Sequence, residues 1–502
     1  MVVTLVLSIL VAVVVLYLFL TRNFKFWKKR GIPCPDGALP GVGHFGELVT
    51  MTTTFSECVR KIYNANRNHS MVGIYNFTSP TLIVLEAELV KTVMQTSFSN
   101  FHENGFKIDP NLDPLFANNP FFTYGDKWVT GRKRLTYAFS SMRLKILLES
   151  VKQVCEKFEG YLEKKLGKTG KVELELKDLF ARFTAQVVTG AGYGVDGLCF
   201  DDERESESFY TLGKSFLEPT FWNNIIFTLV FFMPLLSKIF RVRALPKKAD
   251  HFFRTLIADI MEQRRREETR RNDFLQLMAD LERTEGEKFD MEMITSHAVS
   301  FFIDGYETSS TSLSFVGFNL ASHPEVQEKL REEVVSVLNK YNGVITYDAL
   351  KEMTYMDQVF NESQRLLPAV GFLDKVCTEE TDLRGSDGLV CHVPSGMHIL
   401  IPVMGLQRDS RYWEDPEVFD PERFSNERKH SIEKYAYLPF GEGPRMCVGQ
   451  RMAQLQIKAC LAALLRKYRL ELSSKTRVPL KLTGSTFINA AEGGLWAIIR
   501  PI

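Results

Sequence analysis

The sequence predicts a mainly α fold with small β-sheets, on three observations. Apolar residues recur at three- and four-residue steps through the middle of the chain, as in LLESVKQVCEKFEGYLEKKL at 147–166, the spacing of a helix with one buried face. Strand-like patches are few and short, near 72–85, around 389–402 and at the C-terminus. One helical stretch runs from Asp290, a fitting N-cap, to the Ser-His-Pro at 322–324. At about thirty residues it is ~45 Å long and crosses the whole molecule.

Composition allows a large core and says little about partners. Of 502 residues, 45% are hydrophobic and 12% aromatic, which excludes global disorder. The 62 basic and 61 acidic residues leave a net charge of +1, which argues against nucleic acid as a bulk partner. Eight cysteines are spread along the chain with no CxxC pair, which agrees with reduced thiols in a cytosolic compartment. Most are expected in the core, Cys155 and Cys460 among them. No linker divides the chain and no repeat of 20–50 residues is present.

In chain order, residues 1–20 are uncharged and long enough to span a bilayer. Arg22, Lys25, Lys28, Lys29 and Arg30 follow, and the positive-inside rule puts that side in the cytosol. A cleaved signal peptide is the alternative, but the apolar run is long, no charged segment precedes it and no small-residue cleavage site follows. Residues 21–46, basic and then rich in proline and glycine, read as a stiff hinge, and 47–502 as the globular body. GxGxxG spacing occurs at Gly41, Gly43 and Gly46 and again at Gly192, Gly194 and Gly197, but neither follows a clear strand and opens a helix, as a dinucleotide site requires. FWNNIIFTLVFFMPLL at 221–236 is too short to span and is interrupted by Pro234. It reads either as a core helix or as a contact dipping into the membrane interface. The charged run at 262–273 reads as a solvated helix end.

The residues that carry chemistry lie in the second half. FFIDGYETSS at 301–310 sets a glycine and two carboxylates in the long helix, and Gly305 costs about 1 kcal/mol relative to alanine, so local weakness or a close approach to the backbone is expected there. Glu362 and Arg365 lie three apart on one helical face, and Arg423 follows in DPERF. PFGEGPRMCVG at 439–449 presents Cys447 just ahead of an apolar helix. A thiolate is a soft ligand for iron. The lowered pKa it needs is expected from backbone N–H groups at a helix N-terminus. Gly443 and Gly449 permit tight turns and close approach to a flat ligand, Phe440 packs beside the metal ligand, and Arg445 neutralises a carboxylate. Together they fit a haem-thiolate site.

Phe440, Gly443, Arg445, Cys447 and Gly449 match FxxGxRxCxG, and the chain beyond the anchor resembles the cytochrome P450 family, most of all microsomal insect enzymes of the xenobiotic-metabolising type. The resemblance implies that fold, with a long central helix over a buried haem (iron protoporphyrin) ligated by Cys447. Glu362, Arg365 and Arg423 resemble the family's structural ExxR set. Trp128 and Arg132 in WVTGR resemble its haem-propionate contacts, and Glu307 and Thr308 resemble its acid-alcohol pair for proton delivery. Lys375 stands where an arginine commonly reaches a propionate, Gln407 replaces a frequent histidine, and Asp304 occupies a position where alanine or glycine is usual. Asp304 is therefore a pocket candidate, expected to need a cation or donor as partner.

The implied activity is insertion of one oxygen atom of O2 into small lipophilic substrates, at the endoplasmic reticulum membrane with the catalytic domain facing the cytosol. Because the chain has no credible flavin or nicotinamide site, a membrane-bound NADPH-dependent flavoprotein reductase is the implied electron donor. A haem-thiolate isomerase or dehydratase, and a non-enzymatic haem or ligand binder, are the alternatives. Glu307 and Thr308 count against the first, which needs no delivered protons.

Overall fold

The computed structural model describes residues 1–266, 271–286, 289–483 and 487–502. Helix α1 (Val2–Thr21) has no buried residue. It is the one helix among the described residues long and apolar enough to cross a membrane. The segment after it, read from its prolines and glycines as a stiff hinge, packs on the first sheet. Trp27 is fully buried and its indole N–H donates to the Ile74 carbonyl at 2.8 Å. The ring fills the space over Gly73, where a Cβ would lie 2.1 Å from it. Gly43, at φ +65°, passes so close to the next strand that a Cβ would sit 2.0 Å from the Tyr75 oxygen. This glycine run therefore serves a backbone crossing.

Three small sheets form. β1 (Met71–Asn76), β2 (Ser79–Val84), β3 (Glu103–Asn104), β5 (Leu373–Val376) and β8 (His398–Ile401) make a five-stranded sheet in the order β1-β2-β8-β5-β3. Only its β2–β8 pair is parallel, and Asn104 stands opposite Lys375. β4 (Val172–Glu175), β9 (Tyr468–Leu472) and β10 (Trp496–Pro501) make a second, and β6 (Thr381–Arg384) with β7 (Val390–Val393) a third. β1, β2, β7, β8 and β10 lie in the strand-like patches of the sequence. β9 and β3 to β6 lie outside those patches, and β3 to β6 span at most four residues each.

Helices fill the rest: α2 (Gly125–Ala138), α3 (Ser141–Leu166), α4 (Leu176–Val188), α5 (Phe221–Phe232), α6 (Pro234–Ile239), α7 (Lys247–Arg266), α8 (Met291–Ser322), α9 (Pro324–Lys340), α10 (Thr354–Leu366) and α11 (Gln450–Leu465) carry the argument below. The long helix α8 starts where its cap is expected, the Asp290 carboxylate accepting the Glu292 N–H at 3.1 Å, and Pro324 opens α9 directly after it. Its partner is α4. A Cβ at Gly305 would meet Val188 at 3.0 Å, one at Gly317 would meet Leu176 at 3.1 Å, and the Thr184 hydroxyl donates to the Tyr306 carbonyl at 2.9 Å. Gly305 thus serves the close approach of a neighbouring helix. The run at 262–273 lies partly outside the described residues. Within them Arg264 is not solvated, being 1% exposed and paired with Asp273 at 2.9 Å.

Candidate active site

Glycine geometry shapes the cysteine loop. Gly441 and Gly443 have φ of +68° and +75°, and a Cβ at 443 would stand 2.1 Å from the Met94 carbonyl oxygen. No other residue type fits there without moving the backbone. The Cys447 N–H closes the loop on the Phe440 carbonyl at 2.9 Å, and the half-buried Phe440 ring stacks on Phe360 of α10, centroids 6.2 Å apart. Gly449 differs from expectation. Its φ is −85° and it is the N-cap of α11, while a Cβ there would make only an ordinary 3.9 Å contact with the sulfur.

The Gly449 and Gln450 N–H groups do point at the Cys447 sulfur, as a helix start predicts. They do not make it a thiolate. Burial and the Asp304 carboxylate outweigh those amides and the Arg132 charge, and the thiol is pushed up to about 11. A cation at the sulfur is needed to ionise it. Cys447 and Asp304 both carry accessible surface although each lies deep in the protein, so this surface is the wall of an internal cavity. Residue 304 of α8 faces the cysteine loop across it.

Asp304 has found a donor, not a cation. Its two oxygens accept from Asn119 Nδ2 at 3.5 and 3.3 Å, and burial pushes its carboxyl up to about 7. One turn on, the Thr308 hydroxyl donates to the Asp304 carbonyl. This is the ordinary back-bond of a helical threonine, yet it holds the side chain on the face that Asp304 presents to the cavity. Glu307 points elsewhere: buried, it pairs with Lys177 of α4 at 3.0 Å. The expected acid-alcohol pair therefore shares no hydrogen bond and sits on two faces of α8.

Three cations gather beside the loop. Arg132 donates to the Met446 carbonyl at 2.7 Å. Arg445 donates to the carbonyls of His102 at 2.8 Å, Thr123 at 2.9 Å and Pro120 at 3.5 Å, its guanidinium 4.2 Å over the Trp128 ring. Lys375 donates to Asn104 Oδ1 at 2.7 Å. Burial pushes Arg445 down to about 10, and burial together with the Arg445 charge pushes Lys375 down to about 7. None of the three makes an ion pair with a carboxylate among the described residues. Desolvated cations with no anion of the protein's own fit a dianionic ligand, which is what the propionates of haem provide, and the donor set at Cys447 fits its iron.

Behind the loop lies a fully buried set. Glu362 and Arg365 pair in two-pronged fashion at 2.7 and 2.8 Å, Arg423 reaches Glu362 at 3.3 Å, and Arg365 spends its other hydrogens on the carbonyls of Gln407, Pro416 and Val418. Gln407 donates to the carbonyls of Gln364 and Arg365 and accepts the Leu438 N–H at 2.9 Å. It thereby ties this set to the strand of chain entering the cysteine loop. Asn119, Lys177 and Asn104 are the contacts that sequence reasoning missed. None stands in a motif, so only their position in the fold reveals them.

A cysteine on the wall of an internal cavity under a long helix, with desolvated cations beside its loop, fits a haem-thiolate protein. Residues 33–497 match the family model described as Cytochrome P450, and the chain belongs to that family. It is similar to cytochrome P450 6j1 of Blattella germanica, 33% identical with 96% of this chain and 94% of that protein covered. Cytochrome P450 9e2 of the same organism is 32% identical, covering 96% and 95%. Probable cytochrome P450 6a13 of Drosophila melanogaster is likewise 32% identical, covering 96% and 95%. The protein is thus a haem-thiolate monooxygenase, an oxidoreductase using O2 and a substrate. When bound, the haem supplies the redox centre, and its thiolate ligand favours O–O cleavage.

Proposed function

We propose that this chain is a microsomal monooxygenase of the endoplasmic reticulum that inserts one oxygen atom of O2 into lipophilic substrates, either xenobiotics such as insecticides and plant toxins or endogenous hormones and lipids. NADPH supplies the electrons through a flavoprotein reductase on the cytosolic side. The balance is substrate, O2, NADPH and a proton giving hydroxylated product, water and NADP+. The observation that carries the reading is Cys447, whose sulfur receives two amide donors on the wall of a cavity that α8 overlies.

In this reading Cys447 is the protein's one iron ligand, and Arg132, Arg445, Lys375 and Trp128 hold the propionates. Phe440 and Gly443 shape the loop, and Gly449 starts the helix whose amides face the sulfur. Thr308 holds a water at the cavity face. Glu307, beside the half-exposed Lys177, is placed to pass protons from the outside rather than to touch the reacting atoms. Glu362, Arg365 and Arg423 are structural. Residues 1–20 are the anchor, 21–46 the basic segment docked on the body, and 47–502 the catalytic domain.

Carbon-monoxide difference spectra of the ferrous protein, and NADPH consumption with purified reductase and a lipophile panel, test this. The native protein gives the thiolate band and substrate-dependent turnover, while Cys447→Ala gives neither. A normal band in Cys447→Ala sinks the ligand assignment. A native band with peroxide rearrangement but no NADPH use favours the isomerase instead.

A further inference from the structure

Asp304 has no role in the site so far described. Its carboxylate forms part of the cavity wall, its one hydrogen-bonding side chain is the neutral Asn119, and no cation pairs with it among the described residues. Asn119 also accepts the Phe121 N–H through Oδ1 at 2.7 Å, which ties the carboxylate to the loop that carries Phe121 and Phe122. Phe121 is 37% exposed and meets Phe487, centroids 6.0 Å apart. Phe487 meets Phe231 at 5.5 Å and Phe106 at 5.4 Å, and Phe231 stacks on Phe122 at 5.8 Å. The rings come from four separate stretches of chain. A carboxylate without a counter-ion beside several aromatic faces is what attracts an organic cation, by charge at one point and by the ring quadrupoles around it.

We propose that Asp304 and the phenylalanines beside Asn119 make this pocket select lipophilic ammonium compounds, those with an apolar body and a cationic nitrogen, over neutral lipophiles of the same shape. The proposal rests on the monooxygenase reading, since it names the substrate class of that same cavity. A ligand of this kind sets its charge against Asp304 and its apolar body against Phe121, Phe231 and Phe487.

The test uses the haem-loaded full chain and two probes that cannot ligate iron: phenylbutyl-trimethylammonium, and the neutral hydrocarbon with carbon in place of its nitrogen. Dissociation constants come from the ligand-induced shift of the Soret band. The native protein binds the ammonium probe at least about tenfold more tightly, a 1.4 kcal/mol preference. Asp304→Asn removes that preference and leaves hydrocarbon binding as it was, and Asp304→Glu restores part of it. Equal affinity for the two probes in the native protein overturns the proposal even if Asp304→Asn fails to hold haem, and so does a variant that weakens both probes alike. The carbon-monoxide band of the same preparation reports separately on the haem-thiolate reading, so failure of one is told from failure of the other.

Discussion

Lys375 is 5% exposed, bonds to a neutral amide and feels the charge of Arg445. Its folded pKa of about 7 lies below the ordinary 10.5, so the protonated form is disfavoured by the fold. The associated stability is present above 10.5 and lost as pH falls through 7. An anionic ligand removes that penalty by pairing with the ammonium, which ties haem retention to this residue. Lys375→Met is expected to lose haem to excess apomyoglobin about tenfold faster than the native protein, and Lys375→Arg to keep it. The scale is that of one charged hydrogen bond, 1.5–3 kcal/mol. Equal rates for Met and native refute a propionate contact at 375. Gly443 and Gly449 show how alike residues differ at this scale: the first is required by a carbonyl 2.1 Å from its missing Cβ, the second merely caps a helix.

Packing of α8 decides what each of its faces does. Two glycines admit α4, Asp304 and Thr308 face the cavity, and two turns earlier His297 lies against α2, its ring 3.3 Å from where a Cβ of Gly131 would be. His297 is 4% exposed, and its Nδ1 has no hydrogen-bond partner among the described residues. Burial, with the Arg134 charge, pushes it down to about 4 from 6.5. The imidazole is therefore neutral in the fold, and the unfolded chain takes up the proton first. Stability from this group is complete above pH 6.5 and is lost as pH falls through 4. Between pH 7 and pH 5 the native protein should lose about 2 kcal/mol more than His297→Gln, from urea unfolding at both pH values. Parallel losses in the two proteins contradict a neutral buried histidine.

At the scale of the whole molecule two exposed apolar surfaces stand out. α1 is exposed along its length, and a second apolar patch is formed by Phe221, Trp222, Leu235, Ile239 and Phe240 on and after α5 and α6, each at least 59% exposed. The same helices turn Phe231 and Phe232 inward, so the segment is half core and half surface, and Pro234 starts the second helix rather than ending the apolar run. The dual role fits a helix pair lying in the interface above the cavity. Removal of residues 2–20 should leave part of the protein in the membrane pellet, and Trp222→Asp with Leu235→Asp should release it. A truncated protein that is soluble without those changes rules the second contact out. Cutting beyond Trp27 is a different experiment, because it strips a buried ring from the first sheet and should cost about 3–5 kcal/mol of stability.

The sequence by itself determined the helical class, the long helix with its cap and stop, the apolar first helix and the cysteine loop. Each of these is written locally, in periodicity, capping residues or glycine spacing. It also paired Glu362 with Arg365, because three-residue spacing puts them on one helical face. Tertiary structure decided the rest. That Trp27 docks, that Gly305 faces α4, that Glu307 belongs to Lys177 and that Asp304 rests on Asn119 all depend on contacts between residues remote in the chain. No local pattern encodes which distant partner a side chain will meet, and the short strands β3 to β6 are held by pairing across the sheet rather than by their own alternation. The cavity is likewise a property of the assembled fold: Cys447 is written in a loop, but the Asp304 carboxylate whose charge it feels comes from a helix brought there only by packing.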